Sequence, residues 1–552
     1  MLRSSRAAPS LLAAFAIIVV IALVYWPGVH GYWGRDDFMQ LAFARLVGSP
    51  WPIFVHDHYV PAPGTVFRPL GFASFWLSEA LFGIDYRAHA LADLVLHAGV
   101  ALALFFLLRR VAVPRVLATC CVLLFALHPA VIGAALWWSA RFDLLATLFI
   151  LLALNAAFAY RDHARGGALF CALLCALAAM LSKEIGLVAA PLLSLLWLRW
   201  AWSDPAHRAT ALRAIALVWL CVIVWFGWRW SVLGTPASGL TGAMPLSQAI
   251  AKGLADWARQ MPGYFSFWPR LGDVRRGTLA LAAVLFALAA YRARAANAAT
   301  RRRRDLLWCG VGLILLPALL QAPVAALNAA PLSAGMSAVE AAMQSRLYYL
   351  GVGGVAIVFA AVLTPFWGEA TQRRLALAVP LMLATLTWAI VARDGAGAFA
   401  ARSVAISAVA REAVVAVGAL DLPRERCHVV FLDVEPAPEW SIYVSMDSVI
   451  KATSPDLERV AHCWFEANYA TWFHLFAAPV DAADALPYRP LEIDGRPLPW
   501  RRIGDLAIAY VRPPERVDPA ELESMRFLRW RDGRFEDVSR DVIEGRLPIR
   551  LQ

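Results

Sequence analysis

Long apolar runs separated by short polar or basic connectors organise most of the chain. Eleven are long enough, or nearly so, to cross a bilayer: roughly 9–28, 87–108, 115–132, 142–160, 167–181, 185–200, 212–232, 277–293, 306–326, 347–366 and 375–392. About 20 apolar residues in a helix span the hydrocarbon. A helix is dictated there because lipid offers no partner to an unpaired backbone group. The pattern therefore predicts an α-helical polytopic membrane protein with about 11 transmembrane helices. The first run follows Arg3 and Arg6 and ends in Tyr25 and Trp26 without a small-x-small cleavage pattern. It is expected to remain as a first span rather than to be removed as a signal peptide.

Residues 66–83 are nearly apolar enough to span, but counting them would invert every later loop against the arginine pattern. They are expected to form a surface helix inside a first external loop, 29–86. Beyond about residue 393 the pattern changes. Residues 397–418 predict a helix, and CHVVFLDV (427–434) and DLAIAYV (505–511) predict strands. RFLRWRDGRFEDV (526–538) predicts a hairpin turning at Asp532-Gly533. The expected organisation is a transmembrane domain, 1–392, followed by a small extramembrane α/β domain, 393–552.

Charge sets the sidedness. Arg109, Arg110 and Arg115, Arg161 and Arg165, Arg199, Arg208 and Arg213, Arg292 to Arg304, and Arg373 and Arg374 fall in alternate connectors. Such loops are cytoplasmic by the positive-inside rule. The first external loop, residues 133–141, 182–184, 233–276 and 327–346, and the tail then face the other side. The same placement explains the net charge of +11 without nucleic acid, which is excluded as a partner. Only 16% of residues are charged, against about 25% in ordinary soluble domains. The abundance of Arg and Ala and the short N-terminal tail point to a bacterial inner membrane, with the C-terminal domain on the periplasmic side. Six cysteines lie in the apolar runs; Cys427 and Cys463 are the pair in the external domain, where an oxidising compartment favours a disulfide.

Ionisable groups in or beside spans are functional candidates. Asp36 and Asp37 stand together just past the first span, either as a solvated doublet or as a general base or metal ligand. Lys183, one of only three lysines, sits with Glu184 between two apolar runs. The pair reads either as a local ion pair or as an ammonium gripping an anionic headgroup. Arg346, with Tyr348 and Tyr349, begins the tenth run and suits either phosphate binding or interfacial anchoring. His89, Asp93 and His97 share one helix face, which favours a polar seam over a metal site. Arg68, His128, Arg141 and Asp143 complete the set at the external boundary. Cations there would hold a lipid-linked phosphate and stabilise its departure. A carboxylate would activate an acceptor. Adjacent carboxylates also suit a hard cation, so a divalent metal stays open as a cofactor.

An ordered motif series carries a resemblance. It comprises GRDDFMQL, FRPL, LFGIDYRAHALADLVLH, LFALHPAVIGAALWWSARFDLL, LSKE and QSRLYYLGVGG. In order and spacing this series, over about residues 10–366, resembles the GT-C membrane glycosyltransferases. The nearer relatives are the protein O-mannosyltransferases and the lipid A aminoarabinose transferases. The resemblance implies a GT-C fold and inverting transfer of a sugar from a polyprenyl-phosphate donor to an exported protein, lipid or envelope glycan. It gives Asp36 the role of base with Asp37 beside it, places Lys183, Arg346 and Tyr348 or Tyr349 at the donor phosphate, and pairs Arg141 with the acidic loop. The chain departs from the family pattern at Asp93, Gly133 and Leu350-Gly351-Val352, and its tail lacks tetratricopeptide repeats. Two other readings are an O-antigen ligase or polymerase using lipid pyrophosphate, and a lipid-linked sugar flippase. The former would need a large Arg- and His-rich external loop, and the latter internal repeats.

Overall fold

A computed structural model describes residues 4–57, 66–234, 298–328, 345–367, 371–422, 427–434, 446–467 and 525–547. It also gives isolated helical residues between 247 and 285 and short strands between 474 and 511. Seven helices are long and apolar enough to cross a membrane, or eight if the bent pair Arg115–Ala126 and Pro129–Leu136 is one span. The fold is therefore helical and many-spanning, with a small sheet-bearing domain at the C-terminus. The expected count of eleven spans is not reproduced among the described residues. Gly166–Ser182 is apolar but short, and all but one residue of the expected span 277–293 lies outside the described residues.

The chain forms two compact units, each described by itself. The first comprises Met1–His30, Gly64–Gly71 and Ala90–Phe399. Its helices are α1 (Ser4–Tyr25), the greater part of α5 (Tyr86–Arg110), α6 (Arg115–Ala126), α7 (Ile132–Leu136), α8 (Arg141–His163), α9 (Gly166–Ser182), α10 (Ala189–Ser203), α11 (Arg208–Leu233), α12 (Ala298–Asn328), α13 (Tyr349–Leu363) and most of α14 (Thr371–Ile406). The 56° bend after α6 has a local cause. Pro129 disfavours helix at His128, which is extended at φ −63° and ψ 131°. The His128 Nδ1 then accepts from the Ala130 N–H at 3.0 Å and caps the following turn.

The expected break between a span at 375–392 and a helix from 397 is absent. Helix α14 runs unbroken for 36 residues and stops before Ser407. Gly395 and Gly397 inside it weaken a helix by about 1 kcal/mol each but interrupt no backbone hydrogen bond.

The second unit comprises Gly31–Pro63, Phe72–His89 and Ala400–Gln552. It holds α2 (Asp36–Leu46), α3 (Pro52–Val55), α4 (Pro69–Phe82, mostly here), α15 (Ala408–Ala419), α16 (Met446–Thr453), α17 (Leu457–Ala461) and α18 (Ser539–Ile543). At 14 residues, α4 is shorter than the ~20 residues a span requires. Strands β1 (His428–Leu432), β2 (Trp464–Ala467), β8 (Met525–Arg531) and β9 (Arg534–Asp537) form one sheet in the order β2-β1-β8-β9. Its first three strands are parallel and the last pair antiparallel. Val430, Leu432, Met525, Phe527 and Val542 build its core. A second sheet joins β3 (His474–Pro479), β7 (Leu506–Val511) and β6 (Arg501–Ile503) in that order, and β4 (Glu492–Ile493) pairs with β5 (Arg496–Pro497). The hairpin turns at Asp532 (φ 49°) and Gly533 (φ 83°), pairing Arg531 with Arg534. Positive φ at both central residues defines the primed turn expected of Asp-Gly. Cys427 and Cys463, which begin the approaches to β1 and β2, are disulfide-bonded with Cα atoms 4.5 Å apart.

Candidate functional site

In the first unit, the LSKE motif is a helix break. Helix α9 ends at Ser182, Lys183 is extended, and Glu184–Val188 forms a 3₁₀ turn before α10. Gly186 lets this turn lie on the Ala179 backbone, where a Cβ would overlap main-chain atoms. The break turns Lys183 and Glu184 to different partners instead of to each other. Lys183 Nζ donates to both oxygens of Asp143, at 2.6 and 2.7 Å. Glu184 receives Arg68, whose Nε and Nη2 lie 2.8 and 2.6 Å from its Oε2. The Arg68 guanidinium also covers the Phe142 ring, 5.1 Å from its centroid.

The start of α8 supplies the next layer. Arg141 Nε donates to Asp93 Oδ1 at 2.6 Å, with both side chains buried. Its guanidinium lies 5.4 Å from the Trp138 ring. Arg346, in the 3₁₀ turn Arg346–Tyr348, lies 4.5 Å from the Trp137 ring centroid. Arg68 and Arg346 both act electrostatically on Lys183. Arg68, Arg141 and Lys183 thus meet Glu184, Asp93 and Asp143 in three ion pairs, and Arg346 lies over Trp137.

Tyr349 and His128 have other work. The His97 Nε2 lies 3.0 Å from the Ala126 carbonyl, which only accepts, so Nε2 carries the proton. Nδ1 must then accept from the Tyr349 hydroxyl, 2.7 Å away. Tyr349 therefore ties α13 to α5. His128 caps its turn through Nδ1, and its ring stands edge-on to Trp388 at 4.6 Å. His89, on the same helix face as Asp93 and His97, takes its partners in the second unit. Its Nε2 donates to the Gly83 carbonyl at 2.8 Å and its Nδ1 accepts from Ser78 at 2.7 Å. The three polar groups of α5 thus each serve a separate contact, as a seam does.

In the second unit, the acid pair opens α2. Arg35, immediately before it, has φ 49° and ψ −122°. The Asp37 N–H reaches the Gly34 carbonyl at 3.0 Å. These are the features of a II′ turn whose first central position normally takes glycine. An arginine there costs on the order of 1–3 kcal/mol. Asp37 is buried, and its Oδ2 accepts from the Gly34 N–H at 3.2 Å, closing the turn. Asp36 is half-buried, and among the described residues its carboxylate has no hydrogen bond or ion pair. The two aspartates are therefore not equivalent. Among the described residues, the one group of three metal-type ligands close enough to hold an ion is Cys427, His462 and Cys463, two of which are bonded to each other. The described residues assemble no such set around Asp36 and Asp37, so no step is routed through a cation.

Sequence reasoning matched Arg141 to the acidic loop and Lys183 to Glu184 or an anionic headgroup, whereas the structure pairs them with Asp93 and Asp143. Asp93 and Asp143 were legible as charges in apolar runs, but not as the mates of Arg141 and Lys183. Trp137 and Trp138 went unassigned, and they are buried under arginines. Arg229 went unremarked near the end of an apolar run, and it is buried beside Trp225.

No family model and no curated protein sequence matches the chain. Among solved structures, it is similar to the Archaeoglobus fulgidus oligosaccharyltransferase tethered to an acceptor peptide. Identity there is 12%, coverage 83% of this chain and 64% of that one, and the TM-score 0.47. The chain thus spans 64% of that protein's length. The apo form of the same oligosaccharyltransferase gives a TM-score of 0.44 at 13% identity, with the same coverage. ArnT from Cupriavidus metallidurans bound to undecaprenyl phosphate is 10% identical. That match covers 91% of this chain and 98% of the other, with a TM-score of 0.44. At this level the likeness is one of chain course, and no activity follows from it.

Proposed function

We propose that the chain is an integral membrane glycosyltransferase of GT-C type. It moves a sugar from a polyprenyl monophosphate to a hydroxyl on an exported protein, lipid or envelope glycan. The observation that carries the reading is the partly buried cluster at the LSKE break, where Arg68 and Arg346 bring positive charge to Lys183. Such a cluster suits a phosphate monoester at a membrane boundary. The motif series supports the same reading.

In this reading Asp36 takes the acceptor proton. The acceptor oxygen bonds to the anomeric carbon from the face opposite the phosphate. The bond from that carbon to the phosphate oxygen breaks, and its electron pair leaves with the polyprenyl phosphate. Lys183 and Arg346 offset the charge that grows on the leaving group, with Tyr348 beside them. Asp143 holds Lys183, and Arg68 with Glu184 and Arg141 with Asp93 form two further ion pairs. Asp37 shapes the turn that presents Asp36. The site is assigned to the periplasmic side of a bacterial inner membrane.

The test is transfer from a radiolabelled polyprenyl-phosphate sugar, with membrane extract as the acceptor source. Wild type should transfer label, and Asp36→Asn and Lys183→Ala should not. Undiminished transfer in both variants would sink the site. Absence of transfer from any monophosphate donor would turn the reading toward a pyrophosphate-dependent ligase or a flippase.

A further inference from the structure

The acid-bearing turn is held at both ends by residues more than 350 positions away, all within the second unit. On the upstream side, the Tyr32 N–H donates to Ser403 Oγ at 3.1 Å. Ser407 Oγ donates to the Trp33 carbonyl at 2.8 Å. Both serines are buried, and Arg411 lies over the Tyr32 ring, 5.1 Å from its centroid. These three residues belong to the end of α14, the Ser407 junction and α15.

On the downstream side, α2 reaches α16 through Arg45. Its Nη1 donates to the carbonyls of Lys451, Ala452 and Ser454 at 2.9, 3.1 and 2.8 Å. Those carbonyls end α16 and would otherwise lack partners, and a cation there also opposes the helix dipole. All eight residues of α16 are buried. Inside it, Asp447 and Lys451 form an ion pair with both side chains fully buried. A helix so enclosed is a fixed anchor.

Between the two attachments stands Arg35, in backbone geometry that a non-glycine residue adopts only under constraint. Asp36 follows at once. We infer that the C-terminal domain is the mount of the acid-bearing turn. Ser407 and Arg45 are positioning residues that hold Arg35 strained and so set the direction of the Asp36 carboxylate. The assignment of Asp36 as base rests on the function proposed above. The clamping itself does not.

The experiment therefore has two arms on the full-length protein: Ser407→Ala, Arg45→Lys and the conservative Ser407→Thr, with Arg540→Ala at the exposed end of the chain as control. The first arm is hydrogen exchange of the amides of residues 31–46. Ser407→Ala and Arg45→Lys should accelerate exchange there and leave α5 and α8 unchanged, and Ser407→Thr and Arg540→Ala should match wild type. The second arm is steady-state transfer. The clamp variants should lose roughly tenfold or more in kcat, with KM for the donor within about twofold, since misdirection of a reacting group affects the transition state. Arg35→Gly, which relaxes the turn without touching either clamp, should lower kcat while leaving thermal stability equal or higher. Arg35→Ala, which keeps the strain, should retain more activity than Arg35→Gly.

Unchanged exchange at residues 31–46 in both clamp variants would overturn the mount. So would wild-type kcat in both. If the wild-type enzyme transfers nothing, the function proposal fails, and the exchange arm still decides the mount.

Discussion

Lys183 and Asp143 meet through both carboxylate oxygens, at 2.6 and 2.7 Å, across 40 residues of sequence. The pair is mostly buried, so losing one partner strands the other. Lys183→Ala should cost about 3–5 kcal/mol of stability. Lys183→Met with Asp143→Leu should recover most of that, because both charges leave together. Transfer should stay lost in the double variant, since the phosphate has lost its ammonium. Thermal unfolding and transfer, measured on the same preparations, separate the two roles of Lys183. Recovery of transfer along with stability would make Lys183 a structural residue only.

Because Tyr349 donates to His97, Tyr349→Phe leaves the buried His97 Nδ1 without its donor. About 1–3 kcal/mol of stability should be lost, with KM for the donor unchanged. Tyr348→Phe should raise that KM. A raised donor KM in Tyr349→Phe would return this residue to the phosphate.

The extramembrane part should respond to pH through Asp447. Burial pushes its carboxyl up to about 6, against the pull of Lys451 and of the Phe465 N–H. A folded value above the unfolded one means that the folded state holds the proton more tightly. The stability so contributed is present below about pH 4 and is lost as pH rises through about 6, on the order of 2–3 kcal/mol in all. Denaturant unfolding of wild type and Asp447→Asn between pH 4 and 8 checks this. The wild-type decline across that window should be larger than that of the variant, and equal slopes would refute it.

Much of this was legible in the chain. The apolar runs predicted the helical membrane architecture, and alternation with Asp532-Gly533 predicted the hairpin. The acid pair and the lysine stood out because charge is scarce beside spans. What was hidden were the pairings. Arg68 finds Glu184 at a separation of 116 residues, and Arg141 finds Asp93 at 48, distances over which no local pattern reports contact. Choosing between Tyr348 and Tyr349 needed the rotation of a 3₁₀ turn into α13. The strain at Arg35 was invisible because arginine is not a residue that signals a positive φ. The count of spans differs because Gly166–Ser182 is too short to pass as one and all but one residue of 277–293 lies outside the described residues.

The central claim is that Asp36 takes the proton and Asp37 shapes its turn. The most direct measurement is single-turnover sugar transfer by Asp36→Asn and Asp37→Asn, alongside binding of labelled polyprenyl phosphate to each. Asp36→Asn should bind the lipid as wild type does and transfer at least about 100-fold more slowly, the scale of a lost general base. Asp37→Asn should keep measurable transfer and show lower thermal stability. Wild-type transfer by Asp36→Asn, with transfer abolished in Asp37→Asn, would contradict the account.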